Sequence, residues 1–242
     1  PVAEARHRDY RSGMSQAPSA AFTVATWNVN SVRQRIGHLV NWLQEKQPDV
    51  VCLQEIKTLD EGFPAAEIEA LGYHVAVHGQ KTFNGVALLS KRPLEDVRRG
   101  LPGDAGDEQA RYLEATVSVP GGAFRVASIY LPNGNPAPGD KFDYKLRWMD
   151  RLRAHAEELL VLEEPLVLAG DYNVIPQAKD CHDPAVWAND ALFLPETRRA
   201  FQRLTGLGLT EAVRATTDAA KLYTFWDYQA GAWQRNNGIR ID

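Results

Sequence analysis

Residues 165–174, PLVLAGDYNV, decide how the rest of the chain is read. The apolar run PLVL reads as a strand buried on both faces. It ends on Gly170, Asp171 and Asn173, which place a carboxylate and a carboxamide where the strand stops. Gly, Asp and Asn are turn formers, and that alone accounts for one such ending. Side chains two apart on a strand point the same way, however, so Asp171 and Asn173 can also face one ligand. Whether other strands end alike decides between the two readings.

Outward from this stretch, the pattern is regular from Phe22 onward. FTVATWNV (22–29) is rich in β-branched and aromatic residues and reads as a strand. Val32, Ile36, Leu39, Val40 and Leu43 recur at helical spacing, so 32–47 is an amphipathic helix with Ser31 as its expected cap. DVVCLQEI (49–56) is a second near-continuous apolar strand. YHVAVH, GVALLSK, RYLEATVSV and FRVASIYL are further strands, the last two joined by Pro120-Gly121-Gly122 as a hairpin. A long helix follows, with Phe142, Leu146, Met149, Leu152 and Leu159 on its apolar face and Asp140 as its expected cap. The segment 174–194 is a loop of unusual length, of the kind that carries function or moves. FLPETRRAFQRL (193–204) is helical in pattern, and LTEAVR, TFWDY and NGIRID complete the chain. Helices alternate with strands in places while hairpins dominate elsewhere. That mixture points to an α/β (α+β) fold in which two mixed sheets pack face to face with helices outside, rather than to a doubly wound parallel sheet.

The bulk properties fit one domain over 21–242, preceded by a flexible leader over 1–20 that is polar, mixed in charge and without an apolar signal core. Among 242 residues, 44% are hydrophobic and 24% charged, as in an ordinary globular protein. No apolar stretch is long enough to span a bilayer, so no membrane partner is expected. The formal net charge of −4 weighs mildly against nucleic acid, although a local basic face is what matters for that partner. Two cysteines, Cys52 and Cys181, are too few for a disulfide framework and read as reduced thiols of a cytoplasmic protein. Cys181-His182 has no second pair at zinc spacing and reads as ordinary loop.

Other strands do end alike. WNVN carries Asn28 and Asn30; LQEIK carries Gln54, Glu55 and Lys57; YLPNG carries Tyr130 and Asn133; the last segment adds Asp242. Glu55 is the strongest single signal, because a carboxylate directly after VVCLQ is costly near a core without a partner. Together these are hard oxygen donors, suited to Mg²⁺ or Mn²⁺ rather than zinc. The chain has no P-loop, no GxGxxG fingerprint and no GxSxG elbow. What remains is metal-assisted attack of water on a phosphoester, with a carboxylate handling the water.

The segments WNVNSVRQR, LQEIK, YLPNG, GDYNV and FWDY…NNGIRID, in this order, resemble the exonuclease III-type apurinic/apyrimidinic endonucleases of the endonuclease/exonuclease/phosphatase superfamily. The resemblance spans 22–242 and implies a four-layer α/β sandwich. It implies Glu55 as principal metal ligand with Asn28 beside it, and Asp171 as the aspartate that activates or orients water. Asn173 would hold the scissile phosphate or a second metal position, Tyr130 would face the phosphate with Asn133 in support, and Asp242 would fix a catalytic histidine. Phe225, Trp226, Ile239 and Ile241 would wall a pocket for the base-less sugar, which excludes an intact nucleotide by size. Asn30, Arg33, Arg35, Lys57, Asn84 and Gly85 would meet the DNA backbone without reading sequence.

The activity so implied is divalent-metal-dependent cleavage 5′ to abasic sites in double-stranded DNA, with 3′-phosphodiesterase action on blocked 3′ ends and 3′→5′ exonuclease activity, by a nucleoid-associated cytoplasmic enzyme that is monomeric and needs no protein partner. Two alternatives stay open at this point. One is another phosphoesterase of the superfamily, acting on DNA at large or on inositol phosphates or lipids. The other is a DNA-binding relative without catalysis. Family members continue past GIRID into a Ser-Asp-His segment that supplies the histidine. None of the six histidines here occupies that context, so the natural protein is expected to carry such a segment.

Overall fold

The structure, a computed structural model, describes residues 22–227 and 231–242. The leader expected over 1–20 lies outside them.

Two four-stranded sheets form the centre. In the first, β1 (Val24–Asn28) runs parallel to β2 (Val50–Gln54), the crossover being α1 (Val32–Lys46). β2 pairs antiparallel with β4 (Val86–Ser90), and β4 with β3 (His74–His78) at the far edge. The second sheet repeats the plan in reverse. β5 (Leu94–Arg99), β6 (Tyr112–Val119) and β7 (Gly122–Tyr130) are antiparallel neighbours, and β8 (Leu166–Asp171) lies parallel to β7 after the crossover helix α3 (Asp140–Leu160). α2 (Ala65–Glu69) joins the first half, and α4 (Pro184–Trp187), α5 (Pro195–Thr205) and α6 (Ala212–Thr216) the second. A short ribbon of β9 (Phe225–Trp226) and β10 (Gly238–Ile239) ends the chain.

The strand periodicity explains the layers. In β2, Val50 and Cys52 face the other sheet, against Leu113, Ala115, Val117 and Val126. Val51 and Leu53 face outward onto Leu39 and Leu43 of α1. Both faces of β2 are therefore covered, which is why it reads as a continuous apolar run. The outer face of the second sheet is covered by Trp148, Met149 and Leu152 of α3 and by Ala200 and Leu204 of α5. The result is the expected four-layer sandwich of helix, sheet, sheet and helix. Among the described residues no helix is long and apolar enough to cross a membrane.

Local expectations fare unevenly. The Pro120-Gly121-Gly122 hairpin is present, with Val119 opposite Gly122. The long loop contains a helical turn over Ala178–Asp180 as well as α4. The caps differ from expectation. Ser31 makes no side-chain cap bond; its φ is 83° and its N–H donates to Glu55 O at 2.8 Å. Asp140 stands inside the first turn of α3, and Gly139 takes the cap position. β5 was not visible in the sequence because Glu95, Asp96, Arg98 and Arg99 leave it without an apolar face to read.

Candidate active site

Register brings the polar strand ends together. Parallel pairing sets Asn28 opposite Gln54 and Tyr130 opposite Asp171, so β1, β2, β7 and β8 all stop at one end of the sandwich. The two sheets are tied just beneath that end. Gln54 Nε2 donates to Ser128 Oγ (3.1 Å), and Ser128 Oγ donates to Leu53 O (2.9 Å). Gly170 allows β8 to pass close to β7, since a Cβ there would lie 2.0 Å from Ile129 O.

Asn28 bridges the sheets. Its Nδ2 donates to Glu55 Oε1 (2.7 Å) and to Asp171 Oδ2 (2.9 Å), and its Oδ1 accepts from Asn30 N (3.1 Å). Lys57 Nζ pairs with Glu55 Oε2 at 2.8 Å and donates to Asn30 Oδ1 at 2.6 Å. Burial alone would raise the Glu55 pKa. The Asn28 and Lys57 hydrogen bonds and the lysine charge outweigh it, and Glu55 is held below its ordinary value. Glu55, Lys57, Asn30 and Asn173 all have positive φ, of 52°, 54°, 40° and 46°. Such non-glycine outliers each cost about 1 kcal/mol or more and gather where side-chain aim matters more than backbone comfort.

Asp171 is almost fully buried. Its Oδ1 accepts from Asn173 N at 2.9 Å. Burial, and then the charge of Asp242, push its carboxyl up; burial raises Asp242 as well. Asp242 arrives there because the last segment is anchored on three sides. Tyr172 N donates to Ile241 O (2.8 Å) and Ile241 N to Thr224 Oγ1 (3.0 Å). Arg240 grips the fully buried Asp180 through Nε and Nη2, both at 2.9 Å. Tyr130 stands between the carboxylates. Burial, then the charges of Glu55 and Asp171, hold its hydroxyl well above the ordinary phenol value, so it remains a proton donor.

These residues open into one cleft of about 1750 Å³ that also reaches the outer edges of β1 and β8. Asn28, Asn30, Glu55, Lys57, Tyr130, Asn133, Asp171, Asn173 and Asp242 all line it, as do Phe225, Trp226, Ile239 and Ile241. The apolar four differ in exposure. Phe225 is 40% exposed, whereas Ile239 and Ile241 are buried against Ile175, Cys181 and Leu192. Trp226 is fixed by Nε1 donating to Asn236 Oδ1 (3.1 Å) and by an edge contact with Trp233.

Arg33, Arg35, Asn84 and Gly85 are not among the cleft residues. Arg33 is exposed on α1, and Arg35 Nη1 donates to Asn30 O. Asn84 and Gly85, expected to meet backbone phosphates, make hydrogen bonds inside the fold. Asn84 Nδ2 donates to Gln80 Oε1 (2.9 Å), its carbonyl accepts from Lys57 N (3.0 Å), and Gly85 N donates to Ala110 O (2.8 Å). They brace the Glu55–Lys57 turn; the exposed residues on that loop are Lys81, Thr82 and Phe83.

The donor set suits a hard divalent cation. Glu55, Asp171 and Asp242 bring carboxylates to one cleft, where Lys57 pairs with Glu55, and the charge of Asp242 adds to burial in raising Asp171. Among the described residues no three His, Cys, Asp or Glu side chains form a closed metal cage.

Two residues of the site went unread in the sequence. Arg111 lies 4.8 Å over the Tyr130 ring, and Lys145 lies beneath the loops that carry Asn133 and Asn173. Lys145 did leave a signal, a lysine on the apolar stripe of α3 between Phe142 and Met149.

Two packed sheets whose strand ends converge on carboxylates and carboxamides define a phosphoesterase-type sandwich, and the chain belongs to the Endonuclease/Exonuclease/phosphatase family, which residues 25–242 match. Its similar proteins are nucleases of the exonuclease III type. Exodeoxyribonuclease III of Haemophilus influenzae is 36% identical over 225 residues, 90% of this chain and 84% of that protein. An AP endonuclease from Archaeoglobus fulgidus superposes with a TM-score of 0.87 at 35% identity, over 92% of this chain and 85% of its own. The 3′ phosphatase NExo from Neisseria, bound to product DNA hairpin, gives a TM-score of 0.87 at 38% identity, with the same coverage of both chains.

Proposed function

We propose that the chain is a DNA repair nuclease that hydrolyses the phosphodiester 5′ to an abasic site and also trims blocked 3′ ends, with Mg²⁺ as its ion and Mn²⁺ as a substitute. The observation that carries this is the bridge from Asn28 to both Glu55 and Asp171, which sets a carboxylate for a cation and a carboxylate for water side by side in one cleft. When bound at Glu55, the ion supplies charge compensation for the phosphoryl oxygens and the leaving 3′-oxygen.

The chain's own residues do the rest. Tyr130, protonated at any working pH, donates to a phosphoryl oxygen. Lys57 neutralises a second one while keeping Glu55 ionised. Asp171 accepts the proton of the attacking water, and Asn28 and the Asn173 N–H hold its carboxylate in aim. Phe225, Ile239 and Ile241 form an apolar wall that receives a sugar without its base and excludes an intact nucleotide. Arg33 and Arg35 place the duplex through its phosphates, and the substrate is double-stranded DNA.

The test is cleavage of an abasic duplex and release of a 3′-phosphate, each with and without EDTA. Turnover that survives EDTA, or survives in Glu55→Ala or Asp171→Asn, would contradict the assignment. Hydrolysis of a phosphoinositide at a comparable rate would shift the substrate class to lipids.

A further inference from the structure

Lys145 is among the largest fully buried side chains, on the stripe of α3 that otherwise carries Phe142, Trp148, Met149 and Leu152. A buried ammonium is costly unless its donors are satisfied. Here the acceptors are two main-chain carbonyls, Asn133 O at 3.0 Å and Asn173 O at 2.6 Å. Burial pulls its pKa down to about 7, and Asp171 and Asp190 only partly offset that; in either protonation state the nitrogen has N–H donors for both carbonyls. Each carbonyl belongs to a segment that leaves a strand of the second sheet with site residues on it. One follows Tyr130, the last residue of β7, and carries Asn133; the other follows Asp171, the last residue of β8, and carries Asn173.

The two segments are stitched together above the lysine. Leu131 N donates to Asp171 O (2.9 Å), Asn173 Nδ2 to Leu131 O (2.9 Å) and Asn133 Nδ2 to Asn173 Oδ1 (3.3 Å). The last of these is long for a hydrogen bond and makes a weak tie by itself. Two further features fit the lysine. Asn173 adopts a left-handed φ of 46°, and its carbonyl meets the ammonium. At Gly134, φ is 89° and a Cβ would lie 2.6 Å from Lys145 Cδ, so the lysine stem occupies the space a side chain would need.

We propose that Lys145 is a positioning residue for hydrolysis, a clamp whose ammonium locks the segment after β7 to the segment after β8 so that Tyr130, Asn133, Asp171 and Asn173 address one phosphate. It does not touch the substrate. The inference rests on the nuclease reading above for its kinetic readout and on the hydrogen bonds alone for its structural one.

The experiment compares wild type with Lys145→Met, which keeps the stem and removes the donors, and with Gly134→Ala, which keeps the donors and crowds the stem. Displacement by about an ångström at a reacting centre costs on the order of a hundredfold in rate. Both variants are expected to lose about that much in kcat, with KM for the abasic duplex within about threefold of wild type. Amide hydrogen exchange is expected to quicken over residues 131–135 and 172–174 while the amides of β6 stay protected. A merely structural lysine would lower stability throughout and leave kcat of the folded fraction unchanged. The clamp is overturned if folded Lys145→Met keeps kcat within about twofold of wild type, or if the two loops keep wild-type exchange. Should Lys145→Met not fold, Gly134→Ala decides by the same two readouts. If wild type itself fails to cut DNA, the nuclease reading falls and hydrogen exchange alone judges the clamp.

Discussion

At the scale of single residues, the site works because donors and acceptors alternate. Asn28 separates Glu55 from Asp171 by giving one N–H to each. Asn28→Asp is close to isosteric yet replaces that shared donor by a third carboxylate. Mutual repulsion then turns both oxygens away, and kcat on an abasic duplex is expected to fall about a hundredfold with little change in KM, within the range general acid–base groups contribute. Steady-state kinetics at saturating Mg²⁺ check this; an unchanged kcat would mean the bridge is ornamental. The residues legible in the sequence were those that break a strand pattern, such as Glu55 after VVCLQ and Asp171 after PLVLAG. Lys145 was passed over because a lysine on an apolar stripe looks like a blemish until its carbonyl partners, 12 and 28 residues away, are known. Asn84 shows the converse. An Asn-Gly turn is an exposed feature in general, and only the packing of Gln80 and Gln109 around it shows that its amide is already engaged.

At the scale of elements, the helices and strands are held by buried polar networks as well as by apolar area. Glu114 of β6 accepts from Tyr112 and, at 2.8 Å, faces His155 Nε2 of α3, with the Arg125 guanidinium 3.5 Å from its other oxygen. Burial would raise the Glu114 pKa, but the His155 and Tyr112 hydrogen bonds and the His155 and Arg125 charges prevail and hold it below its ordinary value. The sign follows from linkage. A depressed carboxyl adds stability that is fully present above the unfolded-state value of about 4.3 and is lost as pH falls through the lower folded value. Acid titration followed by circular dichroism should therefore show steepening loss of α3 below about pH 4. Glu114→Gln should remove that dependence and lower stability by about 3–5 kcal/mol, the usual effect of breaking a buried pair. Asp180 and Arg240 make the same point at the other end. Their two-pronged pair joins the long loop to β10, and Arg240→Met should cost a similar amount and loosen Asp242, read as a fall in both melting temperature and kcat. Neither network was legible, since sequence periodicity reports which face is apolar and not which polar groups meet beneath it.

At the scale of the whole molecule, the sandwich converts distant sequence into one face. Strand ends at Asn28, Glu55, Tyr130 and Asp171 meet because both parallel pairs stop flush, and the layer count follows from the apolar runs. The layers could be read in advance; the meeting of β1 and β8 edges at one cleft could not, because no local pattern links residue 24 to residue 166. The remaining question is how a chain of formal charge −4 holds a polyanion. The answer lies in where the cations sit. Arg33 is exposed on α1 and, among the described residues, makes none of the salt bridges that occupy Arg125 and Arg151, while Lys57 is bound to Glu55 inside the cleft. Affinity for duplex should fall linearly on a log–log plot against salt, with a slope of about −0.9 for each phosphate neutralised. Arg33→Ala should weaken binding, reduce that slope by about 0.9 and leave kcat at saturating DNA unchanged. Lys57→Ala should lower both slope and kcat if the ammonium that pairs with Glu55 also meets a backbone phosphate. Fluorescence anisotropy across a salt series, paired with single-turnover cleavage, separates the two; a slope indifferent to Arg33 would move the DNA path off the α1 side of the cleft.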